Sequence, residues 1–323
     1  EDGGFLWSST QDGNRHLYRY AADGTLVNQV THGDWPERGV ERVDEEAGLV
    51  WFAASAEDPT QQHLYVTALD GSGEPRQVTS GQGWWTIDVG EGGVFVGNYS
   101  DPATPPNTAL YGADGQRLRW IEANTLDESH PYWPYVGRHT TPTYGTIRAE
   151  DGSDLWYQML TPPDFDPTRR YPAIIEVYGG PGVQRVMRNW QSLASRLYLE
   201  AGYVVFRLDN RGSSNRSAAF QTALDRNLGT VEVEDQLTGM QWLRSQPYVD
   251  PARVGATGWS YGGFMVLMMM TDPRFDLEAG ASGAPPTEWG LYDTHYTERY
   301  MGTPADNTAG YAASDVISRL DQL

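Results

Sequence analysis

Hydrophobic and polar residues alternate in short runs along residues 1–130, and these runs recur. Three segments with the same pattern begin at His16, His63 and Ala109, about 46 to 47 residues apart. Each has two alternating runs joined by an Asp-Gly pair, which predicts a β-hairpin, and another apolar run precedes each segment. Four strands in a repeat of this length predict a β-propeller blade, with a plain antiparallel sandwich as the alternative. The Asp-Gly pairs are Asp23-Gly24, Asp70-Gly71 and Asp114-Gly115.

The number of predicted blades decides whether residues 1–130 can form a complete propeller. Residues 1–130 contain about three blades, whereas a propeller ring needs at least about four. An open stack would leave sheet edges unpaired. We therefore expect residues 1–130 to be the C-terminal blades of a propeller whose earlier blades precede residue 1.

The pattern changes after residue 130. Residues 131–145 are rich in proline and aromatic residues without a period, which favours a crossing between domains. In residues 146–323, strand-length apolar runs alternate with helical patterns, and this predicts a mostly parallel sheet covered on both faces. The last residues, 309–323, predict a helix that leads into a further strand. The predicted strands are 172–180, 203–212, 252–260 and 277–285, and the predicted helices are 190–202, 231–247 and 261–273.

Composition restricts the partners of the chain. It has 23 Lys and Arg against 43 Asp and Glu, a formal net charge of −20, so we expect no nucleic-acid partner. It has no cysteine, which excludes disulfides and thiolate metal sites. No histidine pair falls at ligand spacing, and we predict no metal and no cofactor. No apolar run is long enough for a membrane span.

The segment Gly258–Gly262 fits the pattern G-x-S-x-G, with Ser260 at its centre. A predicted strand precedes it and an apolar helix follows it, which is the context of a nucleophile held in a sharp turn. The glycines remove Cβ atoms that would clash there, and the backbone N–H of Tyr261 is a candidate oxyanion donor. A structural serine in a glycine-rich turn is the alternative.

Several motifs in order resemble the prolyl oligopeptidase family of serine peptidases: "EVYGGPG", "DNRGSS", "LGTVEVEDQ", "GWSYGGFM" and "YDTHYTERYMG". The segment "YTERYMG" is similar to the dipeptidyl peptidase IV branch. The resemblance covers the whole chain and implies an α/β hydrolase preceded by the C-terminal blades of a β-propeller. It also implies that the catalytic domain, residues 146–323, is C-terminally incomplete.

The resemblance implies a role for each matching residue. Ser260 is the nucleophile, and the phenol of Tyr178 joins the Tyr261 amide as an oxyanion donor. The resemblance also implies an aromatic pocket that binds a proline side chain, with the Tyr261 ring as one of its walls. Aromatic faces bind a flat apolar ring well. Packing in the core is the alternative for the aromatic residues of this pocket. They are Trp289, Tyr292 and Tyr296.

Two features depart from the family pattern. Pro286 stands where the family usually has a small branched apolar residue. This difference affects how the substrate residue before the cleaved bond fits the pocket. The glutamate pair that grips the free N-terminus in dipeptidyl peptidases has no match here. Glu45 and Glu46 are adjacent, but they lie in an acidic turn of a late blade.

Ser260 needs a histidine base and an acid, which follow the nucleophile in α/β-hydrolases. His295 is the one histidine after Ser260, and it lies between two pocket aromatics at a position that is not catalytic in the family. His130 directly precedes the predicted crossing and His139 lies within it. As bases they would need a chain order in which the histidine precedes the serine. Asp315 and Asp321 are interpreted as polar helix positions. We therefore expect the triad Asp and His beyond Leu323, in a longer protein, with a shortened inactive relative as the alternative.

Together these motifs indicate a serine exopeptidase that releases N-terminal dipeptides after Pro or Ala through an acyl-enzyme on Ser260. A prolyl endopeptidase, an acylaminoacyl peptidase and a catalytically silent binding module are the alternatives. The partner is a peptide with Pro or Ala at the second position. A homodimer is left open. The sequence does not give the compartment, and the family likeness favours a periplasmic or secreted location.

Overall fold

The computed structural model describes residues 3–322. These residues form two compact units. The first unit extends to His139 and includes Met187–Gln191 and Asn215–Ala219. The second begins at Thr140 and contains the rest of the chain.

The first unit contains three small antiparallel sheets, in which neighbouring strands follow one another along the chain. Within residues 3–139 these match the three predicted blades, with three strands in the first sheet and four in each of the others. The first sheet has β1 (Phe5–Ser9), β2 (His16–Tyr20) and β3 (Leu26–Gln29). The second has β4 (Glu37–Asp44), β5 (Leu49–Ala54), β6 (His63–Ala68) and β7 (Arg76–Gln77). The third has β8 (Trp84–Val89), β9 (Phe95–Ser100), β10 (Asn107–Tyr111) and β11 (Arg117–Glu122).

The predicted hairpin turns are present in all three sheets. In each, the Asp carboxylate accepts a hydrogen bond from the N–H two residues on, at 2.9 Å for Asp23, 2.8 Å for Asp70 and 2.9 Å for Asp114. The following glycine has a positive φ, between 73° and 83°. Aspartate therefore closes each turn through its side chain while glycine supplies the left-handed backbone.

The second unit is built on a six-stranded sheet of order β12-β13-β15-β14-β16-β17. The pairs among β14, β15, β16 and β17 are parallel, and β12 and β13 pair antiparallel at one edge. This is the predicted mostly parallel sheet of an α/β hydrolase. The strands are β12 (Thr143–Arg148), β13 (Asp154–Leu160), β14 (Tyr171–Glu176), β15 (Val204–Leu208), β16 (Val249–Trp259) and β17 (Ala279–Gly283).

Strands β12 and β13 have no counterpart among the predicted strands. β12 begins at Thr143, inside the stretch predicted to be an irregular crossing. Only Ile147 of this edge strand is buried, so its sequence gives no apolar alternation. The edge pairing depends on β13, which lies between β12 and β15.

Helices cover the sheet and enclose the main hydrophobic core, which includes Phe206, Phe264 and Met269. No helix among residues 3–322 has the length and apolar character that crossing a membrane requires. Short 3₁₀ helices span Glu91–Gly93, Trp133–Arg138, Trp289–Leu291 and Ile317–Gln322. The α-helices are α1 (Leu193–Glu200), α2 (Ala218–Gln221), α3 (Val231–Arg244), α4 (Tyr261–Met270), α5 (Thr294–Met301) and α6 (Thr308–Ala313).

The prediction of a single helix over the last residues is wrong. The chain forms α6 and then a separate 3₁₀ helix, Ile317–Gln322. The Asp315 carboxylate accepts a hydrogen bond from the Ile317 N–H at 2.9 Å. Aspartate competes for nearby backbone donors in this way, which separates the two turns.

Candidate active site

Ser260 lies in a sharp turn between strand β16 and helix α4. Its backbone has φ 59° and ψ −120°, a conformation that a residue with a side chain rarely adopts. Two backbone hydrogen bonds hold it: its N–H donates to the Gly283 carbonyl at 2.9 Å, and its carbonyl accepts from the Phe264 N–H at 3.0 Å. The turn is therefore strained at the serine and fixed on both sides.

The neighbouring glycines allow this turn because backbone atoms approach them closely. A Cβ at Gly258 would lie 2.3 Å from the Gly262 carbonyl oxygen. A Cβ at Gly262 would lie 2.4 Å from the Val177 carbonyl oxygen. No side chain fits at either position without displacing main chain, so the motif brings the end of β14 against the start of α4.

A Gly262→Ala variant is expected to lose stability by roughly 1–3 kcal/mol, the usual cost of overpacking. The nearest obstacle is backbone, which cannot move aside as a flexible side chain would. Thermal unfolding of the variant measures the loss. Gly290→Ala is the matched control, because its nearest heavy atom would be 3.9 Å away. Equal melting temperatures for the two variants would contradict the close packing of the turn.

Tyr178 follows β14 at the same edge of the sheet as Ser260. β14 pairs in parallel with β16, with Glu176 opposite Thr257. The Tyr178 ring lies 6.0 Å from the Tyr261 ring, centroid to centroid. Burial raises the pKa of the Tyr178 phenol, so the phenol keeps its proton and remains a hydrogen-bond donor.

The main chain after Tyr178 is held by a buried amide. Asn210 donates to the Gly179 carbonyl at 2.9 Å and accepts from the Gln236 side chain at 2.9 Å. Gly179 itself has φ 77°, in the left-handed region. The loop that carries Tyr178 is thus fixed from β15 and α3 rather than free to move.

Tyr261 is the first residue of α4, so its N–H has no acceptor within the helix. Its side chain is buried, and its phenol donates to a carboxylate oxygen of Glu232 at 2.6 Å. Its ring lies 5.4 Å from the Trp289 ring and 5.2 Å from the Phe264 ring. The Tyr261 N–H therefore lies at the start of α4, while the side chain is anchored in the core.

The three predicted pocket aromatics lie together beside Tyr261. The Trp289 and Tyr296 rings are stacked at 5.9 Å, and Tyr292 meets both edge-on, at 5.6 Å from Trp289 and 5.7 Å from Tyr296. Their exposure differs: Trp289 is 2% exposed and Tyr292 is 44% exposed. Trp289 belongs to the core, as in the packing alternative, whereas Tyr292 presents much of its ring to solvent.

The histidines considered as bases are not placed against Ser260. Within residues 3–322 the Ser260 hydroxyl has no hydrogen-bond partner. His295 is exposed on α5. His130 contacts Asn124 at 2.9 Å, and His139 contacts the Pro102 carbonyl at 2.7 Å, both in the first unit.

Three other residues considered in the sequence are Glu45, Glu46 and Pro286. Glu45 and Glu46 are exposed in the turn between β4 and β5, as a solvated acidic turn would be. Pro286 is half-buried in the connection between β17 and the 3₁₀ helix Trp289–Leu291. Among residues 3–322 no group of acidic or histidine side chains could hold a metal ion.

Glu232 and Asn210 are not among the predicted site residues, although they lie in the motifs LGTVEVEDQ and DNRGSS. Glu232 is fully buried in the first turn of α3, and Asn210 is fully buried after β15. A carboxylate near a helix start usually interacts with the helix itself, and the sequence shows no sign of a more distant partner. The signal that could have found them is their polar character beside buried strand and helix positions.

Comparison with known proteins identifies the family to which the chain is related. A family model of the prolyl oligopeptidase family matches residues 189–323. A second model, for the dipeptidyl peptidase IV N-terminal region, matches residues 1–106. The two models cover separate parts of the chain in the order that the resemblance requires.

Individual relatives agree with these matches. Dipeptidyl peptidase 8 of Mus musculus is 33% identical over 309 residues, covering 91% of this chain and 34% of the relative. The structure of dipeptidyl peptidase 4 of Porphyromonas gingivalis has a TM-score of 0.92 and 30% identity, covering all of this chain and 45% of that one. The chain spans about a third of the length of the curated relatives it matches. The chain belongs to the prolyl oligopeptidase family, in its dipeptidyl peptidase IV branch.

Proposed function

We propose that the protein is a serine dipeptidyl peptidase in which Ser260 is the nucleophile. The observation that carries the proposal is the strained turn at Ser260. The Tyr261 N–H follows it directly in the chain, and the Tyr178 ring lies 6.0 Å from the Tyr261 ring. A serine alone in a structural turn would not need the backbone strain at φ 59°. Such strain is characteristic of residues held for function.

The reaction is an acyl transfer in two steps. The Ser260 oxygen attacks the carbonyl carbon of the second substrate residue while a base takes the hydroxyl proton. The Tyr178 phenol and the Tyr261 N–H donate to the oxyanion of the tetrahedral intermediate. The base then protonates the leaving amine, and the C–N bond breaks. Water hydrolyses the Ser260 ester in the same manner and releases the dipeptide.

The aromatic cluster determines which residue precedes the cut. Proline has a flat apolar side chain and no N–H, and aromatic faces bind such a ring without leaving a donor unpaired. Tyr292 provides the exposed face, and the Tyr296 and Trp289 rings contact it edge-on. Alanine fits the same site with less contact. The proposed substrates are therefore peptides with Pro or Ala at the second position.

The proposal requires a histidine base and an acid beside Ser260, which residues 3–322 do not supply. In this fold class both follow the nucleophile along the chain. A silent binding module is the second candidate. The observation that favours it is that no side chain among residues 3–322 pairs with the Ser260 hydroxyl. Fluorophosphonate labelling separates the two, because only an activated serine reacts rapidly.

The test compares free and blocked peptides. The full-length protein that contains this sequence is expected to release Gly-Pro and Ala-Pro from free-amine chromogenic substrates and to label at Ser260. Substrates with an acetylated N-terminus are the matched controls and should not be cut. Efficient cleavage of blocked peptides would assign the protein to the endopeptidase or acylaminoacyl peptidase alternatives. An unlabelled Ser260 in the full-length protein would favour the silent module.

A further inference from the structure

A buried carboxylate in the second unit has a polar environment that the reaction does not explain. Glu232 is fully buried in the first turn of α3. It accepts three hydrogen bonds, from the Gly229 N–H at 2.6 Å, the Thr230 N–H at 3.1 Å and the Tyr261 phenol at 2.6 Å. No cationic side chain pairs with it within the described part of the chain. A buried carboxylate without a cation is stable only when such donors surround it.

Two of these donors fix the carboxylate to the start of its own helix. Gly229 and Thr230 precede α3, where a carboxylate is also favoured by the helix dipole. Gly229 has φ 78°, and a Cβ there would lie 2.9 Å from the Phe264 ring. The start of α3 is therefore packed directly against α4. Glu232 has little freedom to move away from its third donor.

The third donor belongs to the residue beside the nucleophile. Burial raises the pKa of the Tyr261 phenol well above its usual value, and the nearby Glu232 carboxylate raises it further, so the phenol stays protonated and donates. Burial raises the pKa of the Glu232 carboxyl, whereas the bonds from Tyr261, Gly229 and Thr230 favour its charged form. Hydrogen bonds to a charged acceptor are shorter and stronger than neutral ones. The bond therefore restrains the side chain of the residue whose N–H begins α4.

We propose that Glu232 is a positioning residue for the oxyanion site: by holding Tyr261 through its phenol, it aims the N–H of Tyr261 toward the oxygen that the Tyr178 phenol also faces. The inference rests on the proposed function, because it assumes that the Tyr261 amide stabilises the oxyanion. Stabilisation of this kind depends on donors held in place before the charge develops. Glu232 acts only through Tyr261 and does not touch the substrate.

The test uses Glu232→Gln and Tyr261→Phe in the full-length protein. The first keeps the shape of the side chain but removes its charge, and the second removes only the phenol oxygen. Each is expected to lower kcat on a Gly-Pro chromogenic substrate roughly tenfold, in line with the loss of a hydrogen bond to a charged group. Glutamine keeps one acceptor oxygen but weakens the bond by removing the charge. Because both variants act on the same contact, the losses in the double variant should be less than additive.

Glu234→Gln is the matched control, since it makes the same chemical change two residues on, at a half-exposed carboxylate paired with Arg274. Its kcat should equal that of the wild type. A lower melting temperature with unchanged kcat in both Glu232→Gln and Tyr261→Phe would make the contact merely structural and overturn the proposal. Additive losses in the double variant would overturn it as well.

A second readout separates this inference from the proposed function. If the wild-type protein labels at Ser260 but releases no dipeptide, the proposed function fails, and the rate of fluorophosphonate labelling still tests Glu232. In that case a tenfold slower labelling of Glu232→Gln supports the positioning role, and an equal rate overturns it. A wild-type Ser260 that does not label overturns both.

Discussion

Replacing Ser260 with alanine in the full-length protein is expected to lower kcat for dipeptide release by about 10⁶-fold, the loss typical of removing a serine nucleophile. Alanine has no oxygen to form the acyl-enzyme, so only the oxyanion donors and substrate binding remain. The backbone bonds of residue 260, to Gly283 and from Phe264, do not involve the side chain and should persist. Steady-state hydrolysis of a Gly-Pro chromogenic substrate measures the loss.

Ser245→Ala is the control for this substitution. The Ser245 hydroxyl donates to the Trp242 carbonyl and accepts from the Gln246 side chain at the exposed end of α3, so its loss should leave turnover unchanged. Both variants should unfold near the wild-type temperature. A Ser260→Ala protein that retains a hundredth or more of the wild-type kcat would show that another group is the nucleophile.

Replacing Tyr178 with phenylalanine is expected to lower kcat by roughly 10²–10³-fold, the usual effect of removing one oxyanion donor. The variant keeps the ring that packs 6.0 Å from Tyr261 and loses only the phenol oxygen. The fold should therefore be retained. The effect should fall on kcat rather than KM, because the donated bond strengthens as the oxyanion forms.

Tyr135→Phe provides the comparison, because Tyr135 is 59% exposed in the first unit. Its kinetics should match those of the wild type. A Tyr178→Phe variant with normal kcat and a raised KM would instead assign Tyr178 to substrate binding.

The pH dependence of kcat offers another check. Since burial raises the pKa of Tyr178, the phenol should keep its proton, and remain a donor, as pH rises through the neutral range.

The regular elements were predictable because their signals are local. Each Asp-Gly pair combines a side-chain acceptor with a residue that tolerates a positive φ, which is sufficient to specify a turn. The buried parallel strands are short apolar runs, and β15 is buried at every position. β12 was not predictable, because an edge strand with one buried residue carries no alternation.

For the candidate site, the sequence indicated which residues to examine but not their surroundings. The G-x-S-x-G pattern located Ser260, because the turn itself excludes larger residues at Gly258 and Gly262. Glu232 and Tyr261 are 29 residues apart in the sequence, and their contact depends on how α3 packs against α4. The burial of Trp289 and the exposure of Tyr292 likewise follow from packing, which residue types alone do not determine.

In the proposed mechanism, the left-handed backbone at Ser260 lowers the stability of the fold at the same position that supports turnover. Glycine would adopt this geometry with less strain, so a chain selected only for thermal resistance would be drawn toward glycine there. The proposed attack of Ser260 on the substrate accounts for a serine in so unfavourable a conformation. Engineering for heat tolerance would therefore do best to leave this bend unchanged and seek its gains elsewhere in the molecule.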